Sequence, residues 1–283
     1  MQIGIYANVS KDTDLATTKA FATVIKQNGA EILLHERARG VSVNFNEMDF
    51  AVPNAFFSSS DIIAVIGGDG TILRAAVEAS KFNKPVFGVN MGKIGFLSEC
   101  EKNDIPAVAN ALTAGKYDIE QRTLINVFFE NNIYTALNEL VVSRSVDANR
   151  IFFTVSAGEI YVDSYSADGF IVSTPTGSTA YSLSAGGPIL SPKIKGLVLI
   201  PICSHSLHNR PIVIDDDEEV KIEPAVKWNK SSIVIDGKLA AEINGTEPIT
   251  VKKSSSTAKF IRFGNANFYN KIFTKLTSWS KGE

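Results

Sequence analysis

An apolar run that breaks on glycines and restarts at helical spacing limits what this chain can fold into more than any other feature. Residues 61–80 read DIIAVIGGDGTILRAAVEAS. Ile62, Ile63, Ala64, Val65 and Ile66 form an unbroken apolar stretch, the pattern of a buried strand. The chain then passes through Gly67-Gly68-Asp69-Gly70-Thr71, after which Ile72, Leu73, Ala75, Ala76 and Ala79 share one helical face. The expectation is a strand, a tight glycine turn at positive φ, and a helix. Bare glycines let a ligand reach the backbone, and free N–H groups at a helix start attract an anion such as phosphate. Asp69 is the one acid at that spot. A ligand-free connector would use the same residues, so the turn alone does not decide. Two nucleotide fingerprints are missing: there is no G-x-x-x-x-G-K-[ST], and Gly68-Asp69-Gly70 lacks the third glycine of G-x-G-x-x-G.

The flanking pattern is α/β. Residues 2–7 read as a strand, Asp12 or Thr13 as the cap of a helix to about Asn28 that Gly29 stops, and residues 31–35 as a second strand. Residues 36–60 show no period and read as a long polar surface connection, with Phe45, Phe50, Phe56 and Phe57 scattered through it. A strand at 84–89 leads into a segment with Gly88, Gly92 and Gly95, and residues 106–114 form a short amphipathic helix. The Rossmann-like domain with a parallel sheet is thus expected over 1–118.

From there on, short β-branched and aromatic runs replace the helical period: 124–129, 135–143, 151–156, 159–162, 170–173, 197–202, 219–222, 232–235 and 250–252. Asn131-Asn132 and Ala157-Gly158 mark hairpin turns. The reading is a mostly antiparallel all-β domain over 119–255. A C-terminal segment, 256–283, ends in a strand and a helix that returns to the first domain, because a lone helix needs a partner for its apolar face.

Composition excludes several classes. Lys and Arg total 28 against 30 Asp and Glu, a net charge of −2 that does not suit a general nucleic-acid binder. No apolar run approaches the roughly 18 residues of a membrane span, and the first residues lack the layout of a signal peptide. Two cysteines, Cys100 and Cys203, make no disulfide framework, so a reduced cytoplasm is the expected setting.

A second chemical stretch, residues 168–188, reads DGFIVSTPTGSTAYSLSAGGP. Its hydroxyls and glycines suit ribose, amide and phosphate oxygens, and Tyr181 offers a flat face for a base, although such clusters are commonly plain loops. Taken together, GGDGT at 67–71, Asn138-Glu139, Asp168-Gly169 and STPTGSTAYSLSAGGP at 173–188 resemble the NAD kinase family, in order and spacing, from Ile3 to Trp279. The GGDGT element alone is shared with diacylglycerol, sphingosine and phosphofructokinases.

The resemblance implies transfer of a phosphoryl group from ATP or polyphosphate to the 2′-hydroxyl of the adenosine ribose of NAD, with Mg²⁺ offsetting phosphate charge. It implies Asp69 as the base. Gly67, Gly68, Gly70 and Thr71 would lie against phosphate and ribose, with Arg74 on phosphate. Asn138 and Glu139 would hold NAD, Thr176 would lie in the same hydroxyl-rich stretch, and Thr179, Ala180, Tyr181, Ser182, Leu183 and Ser184 would surround adenine and ribose. Asp168 would serve the nicotinamide end, in a neighbouring subunit's site of a dimer or tetramer. Asp69 and Tyr181 fall in different expected domains, so the NAD site is expected between them. Many members carry arginine where this chain has Ser166, which removes one cation; Lys238 and Asn149 are further candidate contacts. A non-catalytic NAD(H) sensor and a lipid kinase are the rival readings; an intact Asp69 speaks against the first and the polar 173–184 stretch against the second. His205 and His208, without a carboxylate or cysteine set at metal spacing, read as polar or core residues. Asp215 to Glu219 read as a solvated turn, and Lys252-Lys253 with the three serines after them as a surface turn.

Overall fold

The apolar run at 62–66 becomes a fully buried strand flanked on both sides by others like it. In a computed structural model, which describes residues 1–39, 49–92, 95–145, 149–205, 210–228, 230–264 and 268–280, with side chains to 274, the chain divides into two compact units, 1–121 with 258–283, and 122–257. The elements begin with β1 (Gln2–Ala7), α1 (Ala16–Gln27), β2 (Glu31–His35), β3 (Asp49–Ala51), α2 (Pro53–Ser59), β4 (Ile62–Gly67), α3 (Asp69–Ser80), β5 (Pro85–Asn90) and α4 (Ile105–Thr113). They continue with β6 (Asp118–Phe129), β7 (Asn132–Ala136), β8 (Glu139–Arg144), β9 (Ile151–Ala157), β10 (Ile160–Ala167), β11 (Gly169–Ser173) and α5 (Tyr181–Ser184). The last are β12 (Leu197–Ile202), β13 (Ile212–Ile214), β14 (Val220–Pro224), β15 (Ser231–Ile235), β16 (Lys238–Ile243), β17 (Ile249–Arg262) and α6 (Phe268–Ser280).

In the first unit β3, β2, β1, β4 and β5 lie side by side in that order, all parallel, and the end of β17 adds to β5 through Lys259 and Phe260. Ile3, Ile5, Ile66, Phe87 and Val89 share one core with Phe21 and Ile25 of α1. The order reverses between β1 and β4. In open parallel sheets such a switch point leaves a crevice beyond the strand ends, where ligands bind.

One expectation for this unit needs correction, and another is narrowed to one of its two candidates. The connection at 36–60 is not only a polar surface segment: among the described residues it holds β3 and α2, with Phe56 and Phe57 buried. Phe56 stacks edge-on with His35 at 5.0 Å and with Phe57 at 5.1 Å, so tertiary aromatic contacts hold a helix too short to show a period. Phe45 lies outside the described residues. The cap of α1 is Asp12, acting across an intervening 3₁₀ turn at Thr13–Leu15: its buried carboxylate accepts the N–H groups of Thr17 and Thr18, both at 2.9 Å.

In the second unit β13, β12, β11, β8, β15 and β16 form one antiparallel sheet. A further antiparallel set runs β10, β9, β14 and the start of β17, with β6 paired to β7 and β17. Phe153, Val155 and Val220 of the latter set pack with Val142, Phe170 and Leu199 of the former in one core. The single run expected at 135–143 is two strands, β7 and β8, bent at Leu137-Asn138. Lys252, Lys253 and the serines after them belong to β17 and not to a turn, because Lys252 pairs with Glu219 at 2.6 Å and Lys253 with Asp216 at 2.8 Å. For the same reason the acidic run is not wholly solvated: Asp216 is buried. α6 returns to the first unit, where Lys271 donates to the carbonyl of Ser98 at 2.9 Å and to Glu99. Among the described residues no helix is long and apolar enough to cross a membrane.

Candidate active site

The glycine turn forms at the switch point of the parallel sheet, but not by the expected means. None of Gly67, Gly68 and Gly70 has positive φ; Gly68 is extended (φ −98°, ψ 178°) and caps α3. Glycine is required at 67 for space, since a Cβ there would lie 2.9 Å from Cβ of Thr71. Thr71 is buried and its Oγ1 accepts Asn8 Nδ2 at 2.9 Å, which ties the turn to the loop after β1. Gly68 and Gly70 face open space, apart from two cations: a Cβ at Gly68 would meet Lys11 Nζ at 3.4 Å, and one at Gly70 would meet Arg74 Nη1 at 3.9 Å. Bare backbone, a helix start and two cations are the features that suit an anion. Sequence reading missed Lys11; the signal was topological, since the loops after β1 and β4 meet at a switch point.

Asp69 is the first residue of α3 and is half-buried. Its carboxylate accepts the N–H of Phe96 at 2.7 Å and that of Leu97 at 3.3 Å. A Cβ at Gly95 would overlap that carboxylate, so the residue at 95 must be glycine for the fit. The 95–98 loop is itself anchored. Ser98 Oγ accepts the N–H of Gly95 at 3.2 Å, and Arg262 Nη1 donates to the carbonyl of Leu97 at 3.1 Å and to buried Glu99 at 2.8 Å. Burial, its first cause, lowers the Lys271 pKa against the opposing pull of Glu99.

In the second unit Asn138 and Glu139, between β7 and β8, meet the hydroxyl-rich stretch. Thr174 Oγ1 donates to the carbonyl of Leu137 at 2.5 Å and the Thr174 N–H to that of Asn138 at 2.8 Å. The backbone N–H of Tyr181 donates to the Glu139 carboxylate. Glu139 is only 4% exposed, yet its Oε2 has no hydrogen-bond partner; Ser182 Oγ, fully buried, has none either. Buried polar atoms are paired in native structures as a rule, so two unpartnered ones beside one loop single it out as a candidate for polar contacts. Burial, and then the charge of Asp236, pushes the Glu139 carboxyl up to about 8. The Tyr181 ring is 45% exposed and free to meet a planar group.

Other expected site residues fall elsewhere. Thr176 and Thr179 are engaged internally: Thr176 Oγ1 accepts Arg122 Nη1 at 3.3 Å, and Thr179 Oγ1 donates to the Thr176 carbonyl at 3.3 Å. Ser173 pairs with Glu139 and Gly169 with Ser143 along the β8–β11 ladder. Asp168, one residue beyond Gly169, is therefore about 16 Å from the Glu139 row at roughly 3.3 Å per residue. There Arg144 Nε donates to Asp168 Oδ1 at 2.8 Å, and the Ser166 carbonyl accepts the N–H of His205 at 3.0 Å. Arg144, on the neighbouring strand, supplies a cation beside Asp168 where Ser166 does not; sequence reading missed it because it comes from across the ladder. Asn149 and Lys238 are exposed, and no hydrogen bond or ion pair among the described residues ties either side chain to these clusters. His208 lies outside the described residues, and His205 belongs to no cluster of metal-ligating side chains among them.

Comparison with known proteins agrees with both halves. The model of the ATP-NAD kinase N-terminal domain matches residues 3–117, and that of the ATP-NAD kinase C-terminal domain matches residues 137–263. The NAD kinase of Caldanaerobacter subterraneus subsp. tengcongensis is 34% identical over 281 residues, 98% of this chain and 99% of that one. That of Methanothermobacter thermautotrophicus is 33% identical over 276 residues, 98% of this chain and 96% of that one. Among solved structures, an NAD kinase from Archaeoglobus fulgidus in complex with ATP superposes with a TM-score of 0.78 at 26% identity, covering 98% of this chain and 99% of that one. Yeast NADH kinase complexed with NADH shares the fold, with a TM-score of 0.86 at 21% identity, covering 98% of this chain and 87% of that one. These matches make the chain a phosphotransferase. It belongs to the ATP-NAD kinase family and has NAD kinase activity.

Proposed function

We propose that the chain transfers the γ-phosphoryl group of ATP to the 2′-hydroxyl of the adenosine ribose of NAD, giving NADP, with Asp69 as general base. The observation that carries this is the placement of Asp69: the one acid of the GGDGT turn, at the start of α3, with its carboxylate fixed by two N–H groups. A hydroxyl must lose its proton as its oxygen bonds to phosphorus, and a fixed carboxylate within reach takes it. The new O–P bond forms as the bond from the γ-phosphorus to the ADP oxygen breaks. ADP leaves with the electron pair, and Asp69 passes its proton to water. The start of α3, Lys11 and Arg74 hold the donor phosphates. The lone carboxylate of the turn suits Mg²⁺ that arrives chelated by ATP, since Mg²⁺ sites pair one or two carboxylates with substrate phosphates and waters; when bound, it offsets phosphate charge.

Glu139, Ser182 and Asn138 take the polar groups of NAD, and the Tyr181 ring takes a base. A Glu139 carboxyl titrating at about 8 is mainly protonated at neutral pH, and its buried Oε2, without a partner, suits a ribose hydroxyl. Asp168 with Arg144 serves the site of a second subunit in a homo-oligomer. The distance of Asp168 from Glu139 along β11 supports that role. The setting is the reduced cytoplasm. Purified protein with NAD, ATP and Mg²⁺, assayed by a coupled NADP-dependent dehydrogenase, tests the reading. NADP should accumulate, with polyphosphate and NADH run as rival donor and acceptor. Turnover with polyphosphate alone would overturn the ATP assignment, and absence of NADP with every donor would overturn the reaction.

A further inference from the structure

One carboxylate beside the dinucleotide cluster is not used by the reaction. Asp236 sits at the tip of the β15–β16 hairpin, followed by Gly237; both take positive φ, 49° and 75°, as a two-residue type I′ turn needs. Its side chain leaves its own hairpin and accepts three consecutive N–H groups of the loop between β7 and β8: Leu137 at 2.9 Å, Asn138 at 2.7 Å and Glu139 at 3.1 Å. The Asp236 N–H closes the contact on the carbonyl of Glu139 at 3.1 Å. On the other side Thr174 occupies the carbonyls of Leu137 and Asn138, and a Cβ at Gly177 would overlap the Asn138 carbonyl. These backbone hydrogen bonds of the bend all come from residues outside it, so its shape is imposed from both sides. What the bend presents is the pair of side chains assigned to NAD.

We propose that Asp236 is a positioning residue for dinucleotide binding, fixing Asn138 and Glu139 in the arrangement that receives NAD. A carboxylate does this where an amide would not, because three converging donors need an acceptor-only group. The same carboxylate places a negative charge beside Glu139. Burial, and then the charge of Asp236, raise the Glu139 pKa; burial also raises that of Asp236, against the opposing pull of its three N–H donors. Asp236 therefore sets the place of the group that faces the ligand and adds a negative charge beside it.

The proposal rests on the assignment of Glu139 to NAD, so its test carries a control. Steady-state kinetics of Asp236→Asn should show KM for NAD raised about tenfold or more, from donors left facing an amide. KM for ATP and kcat should stay within about twofold. The alkaline limb of the kcat/KM profile for NAD should move to lower pH, since a neighbouring charge that raised the Glu139 pKa is gone. A merely structural role would lower kcat, raise both KM values and depress the melting temperature together; that result overturns the proposal, as does an unchanged KM for NAD. Where Asp236→Asn does not fold, Gly237→Ala decides, since it strains the turn while keeping the carboxylate. A raised KM for NAD alone supports the proposal, and an unchanged one overturns it. Glu139→Ala separates the two claims. If it leaves KM for NAD unchanged, the Glu139 assignment fails; if it raises KM and Asp236→Asn does not, positioning alone fails.

Discussion

Asp69 and Asp236 are held by the same device, and the proposed roles put it to opposite uses. Each is a carboxylate that accepts consecutive backbone N–H groups from a loop distant in sequence: Phe96 and Leu97 for Asp69, Leu137 to Glu139 for Asp236. Asp69 stands in the first turn of a helix, beside glycines that face open space. Its bonds orient it and leave lone pairs for a substrate proton. Asp236 gives its acceptors to three donors and lies beside buried Glu139, whose Oε2 is left without a hydrogen-bond partner. The difference teaches how to tell a working acid from a supporting one. The number of N–H groups it receives matters less than what remains open beside it.

The comparison breaks most readily at Gly95. Gly95→Ala pushes a methyl into the Asp69 carboxylate. A displacement of about 1 Å at a reacting group costs on the order of 10²-fold in rate, so kcat should fall by that factor while NAD binding, followed by calorimetry, changes little. A fall in NAD affinity of the same size would mean Asp69 mainly binds ligand. Next in size is Lys11→Met, which removes the ammonium over Gly68. Losing one charge-assisted bond to phosphate should raise KM for ATP about tenfold and leave KM for NAD as it was.

The smallest expected effect is in stability. The Glu139 pKa rises from 4.5 to about 8 on folding. Such a raised acid contributes stability that is fully present below 4.5 and is lost as pH rises through about 8. Asp236, also raised, acts in the same direction. Melting curves of the unliganded enzyme should therefore decline from pH 5 to pH 9, and Glu139→Gln should flatten that decline, with little difference at pH 5. Parallel curves for the two proteins would show that Glu139 is ionised throughout.

The strand, turn and helix around Asp69 were legible because an unbroken apolar run and a helical period are local signals. So was the change from alternating elements to short strands. What escaped depends on contacts between distant segments. α2 is seven residues long and is held by Phe56 and Phe57 against His35 and Tyr6, which no window of sequence shows. Lys253 and its serines read as a turn, yet their strand is fixed by acids 36 and 37 positions away. Asp236-Gly237 closes the β15–β16 hairpin, but nothing local in the sequence says that its carboxylate reaches the 137–139 bend. Lys11 and Arg144 likewise become relevant only once strand order and register are known.

The central claim, that Asp69 takes the proton, is met most directly by kcat and NAD affinity for Asp69→Asn across a Mg²⁺ titration. Asparagine keeps the size of the side chain and removes the basic oxygen. General-base help is worth about 10²–10⁴ in rate, so kcat should fall by that order at every Mg²⁺ concentration, with NAD affinity much less affected. Activity near that of the wild type at saturating NAD and Mg²⁺ would contradict the assignment, and recovery only at high Mg²⁺ would make Asp69 a holder of the metal.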